Sequence, residues 1–273
     1  MRPSPGGVRS DSAVSTLRRD RIVISACLVL VIGLAWAYLV HLDRQMSPSM
    51  DYDTMMAEMG MATDRAWTAA DFWFTFAMWA VMMVGMMAGS AAQVLFLCSA
   101  ARRGRGDGRV WPAVSMFGLG YILVWVGFSA CAALVQSALH QAAMLSPAMA
   151  TSSPRLGGAI LLIAGVYQLT PFKSACLTQC RSPLGFLMTH WHDGNLGALR
   201  MGGGHGWYCL GCCWAVMCVL FVVGVMNLVW VAALTAFILV EKVGPAGAVV
   251  ARVAGALMII AGLVVFAGVR QFL

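Results

Sequence analysis

Five of the nine cysteines fall within 38 residues, at Cys176, Cys180, Cys209, Cys212 and Cys213. They lie in two short motifs, C-L-T-Q-C and H-G-W-Y-C-L-G-C-C-W, the second beginning at His205. Residues four apart on a helix share a face. That spacing pairs Cys176 with Cys180 and aligns His205, Cys209 and Cys213, with Cys212 flanking them. Thiolates select soft or borderline ions such as Cu(I) and Zn(II), and imidazole suits both metals. Four thiolates from two helix ends make a tetrahedral set, while two sulfurs suffice for Cu(I). The pattern predicts a soft-metal site on Cys176, Cys180, Cys209 and Cys213, with Cys212 and His205 as reserve ligands and copper favoured over zinc. Two other readings use the same residues. Cys212–Cys213 or Cys176–Cys180 could serve as the redox pair of a membrane thiol oxidoreductase. The thiols of a non-catalytic assembly subunit would only pack, as is expected of the isolated Cys27, Cys98, Cys131 and Cys218.

Methionine supplies a second soft signal. The stretch M-S-P-S-M-D-Y-D-T-M-M-A-E-M-G-M begins at Met46 and carries Met50, Met55, Met56, Met59 and Met61. Thioethers are soft neutral ligands, so these five are weaker metal candidates. The competing role is a Met-rich amphipathic cover for the bundle mouth. His190, beside the interfacial Trp191, is a further weak candidate. In M-W-A-V-M-M-V-G-M-M-A-G-S, Met78, Met82 and Met86 share one helical face, and Met83 and Met87 form a neighbouring stripe. Packing is the default role for that stripe, and metal conduction is the alternative. No Ser-His-Asp set, phosphate-cradling glycine loop or paired intramembrane carboxylate stands out, so no catalytic residue is assigned.

These motifs sit in an apolar chain. Of its 273 residues, 60% are hydrophobic and 11% charged, against about 25% charged in soluble domains. The apolar residues come in blocks long enough to cross a bilayer. The expected fold is an all-α polytopic transmembrane helix bundle of about seven spans. A basic tail over 1–21 precedes a first helix over 22–40, which runs on apolar past the signal-peptide-like Ala35-Trp36-Ala37 and so reads as retained. A Met-rich acidic loop is expected over 41–71, a membrane core with the cysteine motifs over 72–243, and a last helix over 246–273. Pro171 should break the fourth span, 174–204 reads as mostly loop, and Gly224 with Asn227 marks a turn between two spans.

With the N-terminus cytoplasmic, inner segments hold fourteen of the eighteen Lys and Arg, and outer ones six of the eleven acids. That bias follows the positive-inside rule. It accounts for the net charge of +7 without nucleic acid, for which no basic, aromatic-interleaved platform exists. The 41–71 stretch would face the periplasm and the cysteines the reducing cytoplasm. The expected partners are the inner-membrane lipid bilayer, the metal ion, and a metal chaperone or membrane protein that exchanges it.

Several stretches together resemble a bacterial family of predicted metal-binding integral membrane proteins, catalogued as a domain of unknown function. They are Y-Q-L-T-P-F-K-S-A-C-L-T-Q-C-R-S-P from Tyr167, H-G-W-Y-C-L-G-C-C-W-A-V-M from His205, G-V-M-N-L-V-W from Gly224, the closing Glu241-Lys242, and M-W-x-V-M-M-x-x-M-M of the second span. The resemblance covers roughly residues 72–243 and implies a membrane fold with a metal site at the Cys and His positions. Where that family has a proline at the end of the second span, this chain has Gly89.

Overall fold

The computed structural model describes residues 6–59, 67–107, 110–146 and 149–268. Ten helices run in chain order: α1 (Gly6–Glu58), α2 (Ala69–Gly104), α3 (Val110–Gln141), α4 (Pro154–Gln168), α5 (Pro171–Arg181), α6 (Pro183–Thr189), α7 (Gly194–Cys218), α8 (Leu220–Val223), α9 (Leu228–Val243) and α10 (Gly247–Phe266). No strand occurs among the described residues. The molecule is an all-α, multi-pass membrane bundle. Five helices are long and apolar enough to cross a bilayer, or six when the bent α4–α5 pair counts as one span. The expected span missing from that count is the sixth, α9, whose 16 residues reach only about 24 Å at about 1.5 Å per residue.

Three boundaries differ from the sequence expectation. The 41–71 loop is largely absent, because α1 continues to Glu58. The acids there interrupt hydropathy, but Met, Glu and Ala are strong helix formers. The stretch 174–204 is helical too. Pro171 and Pro183 each stand in the first turn of a helix, where the missing N–H costs nothing. Helix α2 passes through Gly89 without a break.

The expected break at Pro171 is present. The chain bends by 63° between α4 and α5, and Thr170 caps α5 by accepting from the Lys173 N–H. Gly224, at φ +95°, ends α8. Asn227 then caps α9, accepting from the Val229 and Trp230 N–H groups.

Two glycine contacts set the helix spacing around the site. A Cβ on Gly202 of α7 would run into the Phe117 carbonyl of α3, and one on Gly120 would meet the Leu199 carbonyl. The two backbones therefore touch, as small residues permit in membranes. This brings Tyr121 of α3 against the middle of α7.

The two ends of the bundle differ in chemistry. At one end Arg103 pairs with the buried Asp20, and Arg102 binds Asp107 and the carbonyls of His192 and Gly194. Arg105 stacks 4.0 Å over the Trp191 ring. At the other end α2 begins, α3 finishes and the Gly224–Asn227 turn closes. Met46, Met78, Met149 and Met226 converge there.

Candidate metal centre

Helix α7 carries Cys209 fifteen residues after Gly194 and fourteen before Val223, where its apolar span ends. The sequence places this motif at a helix end, but it lies in the middle of this long apolar run. The span starts at Gly194, because the glycines of 202–204 are packed within the helix. Cys209 is 1% exposed. Its Sγ lies 2.9 Å from the Tyr121 hydroxyl and 3.8 Å from Ser90 Oγ. The Lys242 ammonium donates to the same sulfur at 2.9 Å.

The other cysteines gather around it. Cys212 and Cys213 donate their S–H groups to the Cys209 carbonyl at 3.1 and 2.9 Å. Cys212 Sγ is 3.9 Å from Cys180 Sγ of α5. It is thus Cys212, expected only to flank the site, that faces α5 across the helix pair. Cys176 Sγ lies against Gly211, 2.8 Å from where a Cβ would stand, so that position must be glycine for α5 to approach. All nine cysteines are free thiols. Cys98 is buried, Cys218 half-buried, and Cys27 and Cys131 face outward.

His205 lies one helical turn from Cys209 and is 3% exposed. Its ring is walled by Phe117, Tyr121 and Phe186, and its Nδ1 has no hydrogen-bond partner. A buried, unpartnered nitrogen is costly without a ligand. His190 is placed elsewhere. It stacks on Phe186 at 4.9 Å, and its Nδ1 is 2.8 Å from Thr189 Oγ1. Among the outer methionines, Met55 and Met59 are exposed and Met56 is half-buried. Met61 and the Met50 side chain lie outside the described residues.

Glu241 and Lys242 look from the sequence like a solvated pair at a helix end. Instead they are 1% and 7% exposed. Neighbours on a helix point about 100° apart, so the two serve different partners. Glu241 pairs with Lys173, and Gln168 bridges them, donating to Glu241 at 3.2 Å and accepting from Lys173 at 2.6 Å. Lys242 turns to the cysteines. Its ammonium also reaches Ser90 Oγ at 3.4 Å and Met87 Sδ at 3.9 Å. Spacing alone does not reveal Lys242, Tyr121 or Ser90 as neighbours of Cys209. The one hint is that each is a polar group inside an apolar span, which is costly unless used.

Among the described residues, no three Cys, His, Asp or Glu side chains are already drawn together as a closed metal site. What exists is a buried, sulfur-rich cluster around the Lys242 ammonium. Its donors are thiols, a thioether and an unpartnered imidazole. These are donors of the soft and borderline kind.

No curated protein and no solved structure matches the chain. One family model matches residues 76–265, from the start of the methionine stripe to the end of α10. The match covers both cysteine motifs and more than half of the chain, and by it the protein belongs to the PpoB2 copper chaperone family.

Proposed function

We propose that this protein binds Cu(I) as cargo on Cys209, with Cys212 and Cys180 as the partner thiols, and holds it for exchange with another protein. The observation that carries the reading is Lys242. The Lys242 ammonium stands 2.9 Å from Cys209 Sγ and 3.9 Å from Met87 Sδ, among side chains buried from solvent. Metal binding deprotonates thiols. Cu(I) held by two thiolates carries one net negative charge, and a buried charge needs a partner. Lys242 supplies it, while Tyr121 and Ser90 hold the Cys209 sulfur in place. His205, whose Nδ1 has no hydrogen-bond partner, stays a reserve ligand, and Cys176 and Cys213, expected from the sequence as primary ligands, join it. Copper is favoured over zinc because sulfur dominates the donors.

The test is elemental analysis of protein purified without oxygen. The intact chain should carry stoichiometric copper, and a variant with all five clustered cysteines changed to serine should carry none. Copper retained in full by that variant would remove the reading.

The Cys180–Cys212 distance of 3.9 Å supports a second reading, thiol redox chemistry, since a small approach would allow a disulfide of about 2.05 Å. It would be preferred if the metal-free chain formed a reversible Cys180–Cys212 disulfide, seen by mass spectrometry, and bound no copper.

The arginine-rich end is proposed to face the cytoplasm and the methionine end the periplasm of an inner membrane, following the positive-inside rule. A reporter fused after Arg105 should read cytoplasmic. A periplasmic signal there would invert the orientation.

A further inference from the structure

We propose that the cavity at the methionine end of the bundle is a thioether site that receives Cu(I) and passes it along α2 to the cysteines. The inference rests on the cysteine cluster taking copper.

The cavity holds about 290 Å³. Its walls include Met46 of α1, Met78 of α2, Met149 of the 142–153 connection and Met226 of the turn before α9. Helical periodicity does not account for this set, because the four come from four separate segments. His140 and Asp71 also line it. A carboxylate at a cavity wall raises the local concentration of cations.

A second, much smaller crevice lies deeper. Met78 and Met226 line it as well, and it reaches Met82. From there the methionines of α2 follow at helical spacing. Met78, Met82 and Met86 stand one above another, with Met83 and Met87 beside them, about 6 Å of rise per step. All five are 3% exposed or less. The last, Met87, places its Sδ 3.9 Å from the Lys242 ammonium, itself 2.9 Å from Cys209 Sγ. Methionines at helical spacing thus span α2 between the cavity and the cluster.

Leucine would fill the same interior. The property that methionine adds is a soft, uncharged donor. Neutral donors bind Cu(I) weakly enough to release it, and thiolates at the end hold it more firmly. The ion moves by exchange of sulfur ligands and stays Cu(I) throughout, so no electron is transferred. On arrival it displaces the protons of the two thiols that bind it as thiolates, and both protons leave to solvent.

The test uses the full chain in detergent micelles without oxygen, with less than one equivalent of Cu(I) supplied as its bicinchoninate complex. The near-ultraviolet absorbance of copper–thiolate bonds is followed over time. Two variants are compared with the intact chain: Met46→Leu/Met149→Leu/Met226→Leu at the cavity and Met82→Leu/Met86→Leu on the stripe. Leucine roughly conserves volume. Both variants should reach the final absorbance of the intact chain, which shows the cysteine site and the fold preserved. Both should reach it roughly tenfold more slowly or worse, as expected for one lost ligand-exchange step. Should the multiple variants fail to fold, single Met82→Leu and Met226→Leu chains give the same comparison. An unchanged rate in both would overturn the proposal and leave the cysteine site standing. No copper–thiolate absorbance in the intact chain would remove the functional reading itself, and this path with it.

Discussion

Cys209→Ser should abolish stoichiometric copper binding, whereas Cys176→Ser should only weaken it. Cys209 is the one sulfur that meets Lys242, Tyr121 and Ser90 together, and its carbonyl anchors the thiols of Cys212 and Cys213. A hydroxyl is a poor substitute for a thiolate toward a soft ion. Cys176 touches the α7 backbone at Gly211 rather than the Cys209 sulfur. Competition against a chromophoric Cu(I) chelator measures both. Lys242→Met should keep every thiol yet weaken binding, because the copper dithiolate would then be a buried anion without a counter-charge. Full copper retention in Cys209→Ser would move the site away from the centre of α7.

The second large effect concerns stability. Lys173→Met should destabilise the fold by about 3–5 kcal/mol, the usual cost of leaving one member of a buried ion pair alone. Lys173 and Glu241 are each 1% exposed and joined through Gln168. They tie α5 to α9, the helices that bring Cys180 and Lys242 to α7. The double variant Lys173→Met/Glu241→Leu should recover most of the loss, since an apolar pair of similar size often replaces a buried ion pair without penalty. Thermal unfolding in detergent reads both. A single variant as stable as the intact chain would show that the pair carries no part of the α5–α9 contact.

The all-helical membrane architecture was legible because hydropathy blocks and helix length obey simple physics. The break at Pro171 and the cap at Asn227 were legible for local reasons, a missing N–H and a short polar side chain. The extent of α1 and α7 was not. Hydropathy marks where a helix meets lipid, and both helices run on through polar or glycine-rich sequence. Cysteine spacing singled out five thiols that the fold gathers where α5 meets α7. It misjudged which of the vicinal pair faces α5, because a helix face is about 100° wide and Cys212 and Cys213 both border it. Lys242 was misread for a different reason. Its partners come from α2, α3 and α7, and no local pattern encodes a meeting of four helices.

The mid-helix position of Cys209 on α7 has an electrical consequence. A site at the mouth of a bundle lies outside most of the field across an energised membrane. A charge moved part-way through gains or loses a corresponding part of about 2.3 kcal/mol for each 100 mV. Net charge carried to Cys209 would therefore tie occupancy to the membrane potential, in a direction set by the face from which it enters. Copper bound there as proposed would follow the energy state of the cell as well as the supply of metal, to the extent that the entering charge is not offset by protons leaving through the same face.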